Sequence, residues 1–343
     1  MRPDGLLTLT EAGLYCPAGD FHVDPWRPVE RAIVTHAHAD HARRGSARYL
    51  AAREGVGVLR ARMEEGASIR PVDLGEVVEV NGVRISLHPA GHILGSAQVR
   101  IEHRGEVWVV SGDYKTEPDP TCAPFEPVPC HTFITESTFG LPIYRWPAQT
   151  EVFEEVNRWW RENAAAGRAS LLLGYALGKA QRLLAGLDPD IGPIFAHGAV
   201  QRLTEAYREA GVALPETTYV GDVDRTQEWG GAMIIAPPSA FGSTWIRRFG
   251  ELSAGFASGW MRIRGARRRR GVERGFVLSD HADWAGLNRA IRETGAERVL
   301  VTHGPTTAMV RWLRDQGYEA EAVPTRFEGE RDDRDVDLEE EGG

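Results

Sequence analysis

Short apolar and β-branched runs recur along roughly the first 140 residues, and several of them end at an ionisable residue. Residues 31–35 predict a short buried strand, because such side chains fit a covered sheet. Residues 76–80 and 83–87 flank Asn81-Gly82, the preferred pair for a type I′ turn, and so predict a β-hairpin. Further strands are predicted at residues 21–24, 46–52, 97–102, 106–110 and 132–135. We therefore expect a sheet-rich first region.

The pattern changes near Pro147. Residues 150–166 carry apolar side chains at helical spacing. Strands then alternate with helices, at residues 169–173, 178–187, 193–196, 199–210 and 232–236. Alternation of this kind indicates a small parallel α/β unit. From Gly275 the earlier pattern returns, with predicted strands at residues 276–278 and 298–302, each followed by a helix.

Length and pattern together predict two domains. A chain of 343 residues exceeds what one compact core usually organises. We expect an α/β protein in which residues 1–145 and 261–327 form one domain and residues 146–260 form an inserted α/β domain. Residues 328–343 carry nine acidic side chains and almost no apolar ones, which predicts a disordered acidic tail.

The charge is unevenly distributed. Of the net charge of −9, the tail contributes −7, so the rest of the chain sums to only −2. Arg262, Arg264 and residues 267–270 form a basic cluster. A nearly neutral body with one basic region is compatible with a polyanionic substrate.

The cysteines indicate a cytoplasmic protein. Cys16, Cys122 and Cys130 are odd in number and form no C-x-x-C pair, which favours a reducing compartment. The sequence has no apolar run of about 18 residues, so we expect no membrane partner. Its first residues also lack the apolar segment of a signal peptide.

The densest group of ionisable residues comes directly after the strand predicted at residues 31–35. His36 and His38 are two positions apart, so they can project the same way from extended backbone and meet one metal ion. Asp40 and His41 follow and can bind a second ion. Imidazole and carboxylate ligands suit zinc or a similar divalent metal. The alternative is a polar surface loop, which three histidines and an aspartate within six residues disfavour.

Other predicted strands, or the turns that follow them, also end at a histidine, an aspartate or a glutamate. The residues concerned are His92, Asp113, Glu136, His281 and His303. Side chains at the ends of several strands line one edge of a sheet, where α/β proteins place their sites. Taken singly, the histidines and Asp113 have ordinary roles as turn or strand-end residues. Together they predict a two-metal site.

The expected distribution of ligands follows from their positions. His36, His38 and His92 would bind one ion; Asp40, His41 and His303 would bind the other. Asp113 would bridge the ions, because a carboxylate offers two oxygens. Zinc is the expected metal, and manganese is possible because two ligands are aspartates.

Three segments resemble the metallo-β-lactamase fold: His-Ala-His-Ala-Asp-His at residues 36–41, Ala-Gly-His at 90–92 and Ser-Gly-Asp at 111–113. The resemblance implies an αββα sandwich with a two-metal site at its edge. Many unrelated hydrolases share this fold, so the fold alone does not define the substrate.

Three further segments resemble the motifs of the β-CASP nucleases, at residues 135–138, 279–283 and 301–304. The inserted α/β unit is similar to the cap domain of those nucleases. Within that group, residues 15–17, 21–26 and 175–181 resemble the bacterial ligase-associated DNA exonucleases, which are encoded near an ATP-dependent DNA ligase. The resemblance implies a metal-dependent exonuclease that acts in DNA repair on single-stranded DNA or single-stranded ends.

The resemblance and general acid–base chemistry suggest roles for individual residues. His281 is predicted to protonate the leaving oxygen, with Glu136 hydrogen-bonded to it to keep it charged and aimed. Asp40 is predicted to be a catalytic residue as well as a metal ligand. Asp24, which fits the expected pattern better than Asp20, is predicted to orient ligand histidines.

Nucleic-acid contacts are predicted from basic residues. Lys179 and Arg182, near the start of a helix, are expected to meet phosphates, and Arg262 and Arg264 to contact the backbone further along the strand. The alternative for Arg262 and Arg264 is that they lie in a solvated loop and contact no nucleic acid.

Three other functions remain open. An RNA-processing β-CASP ribonuclease differs only in recognition of the 2′-hydroxyl, to which no residue can be assigned. A small-molecule thioester or lactam hydrolase would not need the inserted unit. A non-catalytic nucleic-acid-binding subunit is disfavoured because every ligand position is filled.

Overall fold

The computed structural model describes residues 5–224, 226–263 and 271–326, and it confirms the α/β class. Among these residues the strands are, in chain order, β1 Thr8–Thr10, β2 Gly13–Cys16, β3 Phe21–Val23, β4 Arg31–Ile33, β5 Arg48–Ala52, β6 Ile69–Val72, β7 Val77–Val80, β8 Val83–Pro89, β9 Ala97–His103, β10 Glu106–Val110, β11 Thr132–Glu136, β12 Ala169–Leu173, β13 Ile194–Ala196, β14 Thr218–Tyr219, β15 Met233–Ala236, β16 Leu252–Ala257, β17 Arg274–Phe276, β18 Arg298–Thr302 and β19 Glu319–Ala322. The helices are α1 Val56–Arg62, α2 Gln149–Ala165, α3 Lys179–Gly186, α4 Gly198–Glu209, α5 Trp284–Glu293 and α6 Thr306–Asp315.

The described residues divide into two units. The first unit comprises residues 5–145 and 281–326 and contains two sheets, ordered β1-β2-β3-β4-β5-β6 and β19-β18-β11-β10-β9-β8-β7. Phe21 of β3 and Leu87 of β8 belong to one apolar core that both sheets share. Truncation of such a buried leucine to alanine typically costs about 2–5 kcal/mol.

Alternation along β18 explains how the second sheet is covered on both faces. Leu300 contributes to the core between the sheets, whereas Val299 and Val301 belong to a second core with Leu287 of α5 and Met309 of α6. Successive side chains of a strand point to opposite faces, so an almost continuous apolar run suits a strand buried on both sides.

The predicted hairpin around Asn81-Gly82 is confirmed, and the strands predicted at residues 97–102 and 106–110 form a second hairpin. β7 and β8 pair antiparallel with Val80 opposite Val83, and β9 and β10 pair antiparallel with His103 opposite Glu106. Asn81 and Gly82 have φ values of 49° and 78°, the left-handed conformation that both central residues of a type I′ turn require.

Parallel pairing brings several strand ends to one edge. β10 pairs parallel with β11, and β11 pairs parallel with β18. Glu136 ends β11 opposite Thr302, the last residue of β18, so His303 follows at the same edge. Asp113 comes three residues after β10 ends. The topology thus delivers these three side chains to neighbouring positions.

The second unit contains a sheet ordered β14-β13-β15-β12-β16-β17 in which neighbouring strands are parallel. Leu172 of β12 and Ile235 of β15 pack with Trp160 of α2 and Leu183 of α3. Strands therefore alternate with helices as the sequence predicts, and parallel strands need such crossover helices.

The second boundary of this unit differs from the predicted one. The unit continues to Asp280 rather than ending at residue 260. β17 ends at Phe276 and pairs with β16, with Gly255 opposite Arg274, so it is not a strand of the first unit that continues to residue 278. β16, whose small residues did not suggest a strand, provides the edge on which β17 pairs.

Several predictions fall outside the described residues: Arg264, the arginines at 267–270 and the acidic tail at 328–343. None of the described helices is both long enough and apolar enough to cross a membrane.

Candidate metal centre

Asp24, which follows β3, organises the loop that carries the first histidines. Its carboxylate accepts hydrogen bonds from the Thr35 backbone N–H at 2.8 Å and from the Thr35 hydroxyl at 2.6 Å. It also lies 2.7 Å from His41 Nδ1. A carboxylate at Nδ1 orients the imidazole and leaves Nε2 as the nitrogen available to a metal. The structure thus places Asp24 beside His41, one of the histidines predicted to bind metal.

Thr35 extends this arrangement to a second histidine. Its hydroxyl donates to Asp24, so it can accept from the Nδ1 of His36, which lies 3.0 Å away. His36 Nε2 is then free of the proton and can bind a cation. Thr35 was not identified as a functional residue from the sequence, although a hydroxyl residue directly before the first histidine is a signal that could have found it.

The first group of converging donors consists of His36, His38, His92 and Asp113. His38 Nδ1 lies 3.1 Å from both His36 Nε2 and His92 Nε2. Asp113 Oδ2 lies 3.6 Å from His36 Nε2 and 3.9 Å from His92 Nε2. Ligand atoms held about 2.0–2.1 Å from a tetrahedral ion are separated by about 3.3 Å, so this spacing fits a common ion.

The second group consists of Asp40, His41 and His303. His41 Nε2 lies 3.6 Å from Asp40 Oδ2 and 3.4 Å from Asp113 Oδ2. The rings of His41 and His303 have centroids 5.4 Å apart. Because Asp113 Oδ2 is near the nitrogens of both groups, its carboxylate occupies the position expected of a shared ligand.

His303 shows a further feature expected of a ligand. Its Nδ1 is buried and has no hydrogen-bond partner among the described residues. A buried polar atom without a partner is unusual and calls for an explanation such as an ion. The residue also has a left-handed φ of 55°, which costs energy in a non-glycine residue. The donor set and the unpaired nitrogen therefore fit a bound divalent metal.

The turn after His303 is held against Ser137. The Ser137 hydroxyl donates to the His303 carbonyl oxygen. Gly304 has φ 72°, and a Cβ at this position would lie 2.3 Å from the Ser137 carbonyl oxygen. Only glycine fits here, because the backbone segments approach so closely.

The electrostatics of the cluster follow from burial and from its three aspartates. Burial, followed by the neighbouring imidazoles, lowers the pKa of His36 well below its usual value, which favours the neutral form that binds metals. Burial acts in the same direction on His41, but Asp113, Asp40 and Asp24 raise its pKa well above normal. Three carboxylates around one imidazole concentrate negative charge that a divalent cation would neutralise.

Asp113 stays ionised despite its position. Burial raises the pKa of its carboxyl, but His41, His281 and His36 outweigh this effect and lower the pKa well below normal. An ionised carboxylate is the form that binds a metal ion. Burial lowers the pKa of His303, which keeps this imidazole neutral as well.

A second buried pair lies beside the cluster. His281 Nδ1 is 3.0 and 2.9 Å from the two oxygens of Glu136. Glu136 Oε1 also accepts the Tyr114 backbone N–H at 2.8 Å. The rings of His281 and His92 have centroids 4.7 Å apart. Glu136 thus fixes Nδ1 of His281 and leaves Nε2 to exchange a proton. Tyr114 could not be predicted as part of the site from its side chain, because it contributes its backbone N–H.

The predicted phosphate contacts of Lys179 and Arg182 are contradicted by the structure. Lys179 is fully buried, with Nζ 2.5 Å from Asp280 Oδ1. Arg182 is 1% exposed and donates to the Ser279 carbonyl oxygen at 3.2 Å. Their charges face the protein interior of the second unit, which sequence position could not reveal. Arg262 is exposed, and its contact with nucleic acid stays a prediction.

Known proteins resemble this chain over different lengths. A probable DNA ligase of Opitutus terrae is 32% identical over 314 residues, which are 91% of this chain and 30% of that protein. Endoribonuclease YSH1 of Saccharomyces cerevisiae is 33% identical over 122 residues, 35% of this chain and 15% of that protein. The cleavage and polyadenylation specificity factor subunit 3-I of Arabidopsis thaliana is 33% identical over 126 residues, 35% of this chain and 17% of that protein.

This chain therefore spans less than a third of the length of each of these curated relatives. The similarities support the metallo-β-lactamase and β-CASP family that the motifs predict. No model of a protein family matches the sequence.

Among solved structures, a protein of unknown function from Enterococcus faecalis aligns over 86% of this chain and 79% of its own length. Its TM-score is 0.59 and its sequence identity is 12%. At this identity the likeness concerns the fold alone.

Proposed function

We propose that this protein is a metal-dependent nuclease that hydrolyses phosphodiester bonds in DNA, with exonuclease action on single-stranded DNA or single-stranded ends during repair. One observation carries the proposal. Two groups of metal-type donors lie in the first unit, Asp113 Oδ2 is near a nitrogen of each group, and the buried Glu136–His281 pair lies directly beside them. The fold proposed for this unit is the metallo-β-lactamase αββα sandwich, with the second unit as an inserted β-CASP domain.

Each residue of the site has a proposed role in binding the metal ions or orienting their ligands. His36, His38 and His92 would hold one divalent ion, Asp40, His41 and His303 the other, and Asp113 would contact both. Two such ions, zinc or manganese, would supply the chemistry of lowering the pKa of a water molecule and neutralising phosphate oxygens. Asp24 and Thr35 orient the ring nitrogens of His41 and His36.

His281 supplies a proton to the leaving oxygen. Glu136 accepts from Nδ1, so the charged imidazole is stabilised and its Nε2 can act as the acid. Proton transfer from a positioned side chain typically contributes about 10²–10⁴ in rate. A phosphodiester needs this help, because the alkoxide that leaves is a strong base.

DNA is preferred over RNA as the proposed substrate for one reason. The probable DNA ligase aligns with 91% of this chain, whereas endoribonuclease YSH1 of Saccharomyces cerevisiae aligns with 35%. The same relative is the reason to propose a functional association with a DNA ligase, which the motif resemblance implies is ATP-dependent. RNA processing is the second candidate, because a relative named as an endoribonuclease, YSH1 of Saccharomyces cerevisiae, is 33% identical to this chain over 122 residues.

End-labelled single-stranded DNA and RNA of one sequence test the proposal. Purified protein is incubated with zinc and then with manganese, and the products are resolved by length. We expect DNA that shortens from one end, with cleavage slowed by about 10²–10⁴ in His281→Ala. Cleavage should be unchanged in His103→Ala, a histidine at the end of β9 that contacts the Gly82 carbonyl.

Cleavage of RNA alone would favour the second candidate. Cleavage of neither polymer under both metals would overturn the nuclease proposal and direct attention to small esters and thioesters.

A further inference from the structure

Helix α3 is connected to the two residues that directly precede His281. Lys179 Nζ lies 2.5 Å from Asp280 Oδ1, and Arg182 donates to the Ser279 carbonyl oxygen at 3.2 Å. These four residues are each exposed by 1% or less. They all belong to the second unit, and His281 is the first residue after the chain returns to the first unit.

We propose that Lys179 and Arg182 are positioning residues for His281, an inference that rests on the proposed function. They fix the main chain at residues 279–280 and thereby the point from which the His281 side chain begins. β17 ends at Phe276, and Ser279 and Asp280 lie outside any strand or helix, so no sheet ladder holds this segment.

The start of α3 explains why both cations can act together. Gly178 has a left-handed φ of 83°, and its backbone N–H donates to the Gln181 side chain at 2.8 Å. These features define where the helix begins. Lys179 and Arg182 are three positions apart, so they lie on the same face of the helix.

The chemistry of the contact also favours a positioning role over stability alone. Removing two charges from water is costly, and apolar residues of similar size often stabilise a buried site equally well. A charged hydrogen bond, in contrast, defines direction and distance. The pair therefore suits a segment whose exact placement matters for a neighbouring residue.

The expected effect is on turnover. A displacement of about 1 Å in a catalytic group can cost about 100-fold in rate. We expect Lys179→Met and Arg182→Met to lower kcat on DNA by about 10- to 100-fold with little change in KM. Lys179→Arg retains the charge and the donor and should recover most of the activity.

Two substrates separate positioning of the acid from general damage. The first is single-stranded DNA, and the second is a nucleotide p-nitrophenyl phosphodiester, whose leaving group departs without a proton. A residue that acts through His281 should affect DNA cleavage strongly and the activated ester weakly. Each substitution is also combined with His281→Ala, where it should cause no further loss.

Arg208→Met is the matched control. Arg208 also lies in the second unit and donates to a backbone carbonyl, that of Pro215, but it does not contact residues 279–280. Its substitution should leave kcat on both substrates near the wild-type value. If Lys179→Met does not fold, as judged by circular dichroism, Lys179→Met with Asp280→Asn removes the tether without leaving an unpaired charge.

The outcomes distinguish the two claims. Equal losses on both substrates, or losses that add to that of His281→Ala, would overturn the positioning role and leave the nuclease proposal intact. Wild-type activity that His281→Ala does not reduce would overturn the role of His281 and, with it, this inference. A wild-type protein inactive on nucleic acid would overturn the proposed function itself.

Discussion

Both units bury ionisable side chains, but they arrange them differently. In the second unit, Lys179 and Asp280 form a close pair at 2.5 Å. In the first unit, Asp113 Oδ2 lies 3.4 to 3.9 Å from Nε2 of His36, His41 and His92, beyond the usual range for a strong hydrogen bond. The Lys179–Asp280 pair of the second unit neutralises its own charges. The side chains around Asp113 in the first unit instead direct their nitrogens and oxygens toward a common point.

This difference separates two uses of a buried charge. A pair that is internally neutralised can hold a segment of chain in place, and its removal exposes the partner to an apolar interior. A convergent set of imidazoles and carboxylates carries more lone pairs than it has N–H groups to hydrogen-bond with them. A cation can bind the remaining lone pairs. Four substitutions test the distinction, beginning with the largest expected effect.

Asp113→Ala should abolish detectable cleavage, because Asp113 Oδ2 lies near nitrogens of both donor groups. Metal content should fall below that of the wild type, as measured by mass spectrometry of the dialysed protein. Asp73→Ala, which removes an exposed partner of Arg53, is the control. Full metal content and activity in Asp113→Ala would contradict the shared-ligand interpretation.

His281→Ala should lower kcat by about 10²–10⁴, because it removes the proposed proton donor. Its metal content should equal that of the wild type, since His281 is assigned no ligand role. Steady-state cleavage and metal analysis measure the two effects separately. A loss of metal together with activity would instead make His281 part of the metal centre.

Lys179→Met should destabilise the protein by about 3–5 kcal/mol, because it leaves Asp280 charged and buried without this partner. Chemical denaturation followed by circular dichroism measures the change. Metal content per folded molecule should not change, since the pair is internally neutral. A stability equal to that of the wild type would show that the pair is not a structural connection.

Asp24→Asn should weaken metal affinity by about 10- to 100-fold, because the orientation of His41 depends on this carboxylate. Competition with a chelator measures the affinity. Asp20→Asn is a close control, since Asp20 contacts Tyr15 and Arg31 at an exposed site. Equal effects of the two substitutions would remove the distinction between these aspartates.

Much of the architecture can be predicted from local pattern. The Asn81-Gly82 turn has the left-handed conformations that this pair favours, and the hairpin forms around it. β16 could not be predicted in this way, because Leu252–Ala257 contains small residues and serine rather than a β-branched run. Its partners in the sheet determine its conformation, and the boundary near Asp280 depends on it.

The type of chemistry could be predicted from the sequence, because imidazoles and carboxylates lie where the predicted strands end. Donor type is a property of single residues, and strand ends are set by short-range patterns. Only the tertiary structure decided which of these groups meet. Asp113, Glu136 and His303 come together because β10, β11 and β18 pair in parallel, which is a long-range choice. Lys179 was likewise expected to meet phosphate, but the packing around it directs its charge to Asp280. The environment of a charge depends on everything folded around it, and no local pattern contains that information.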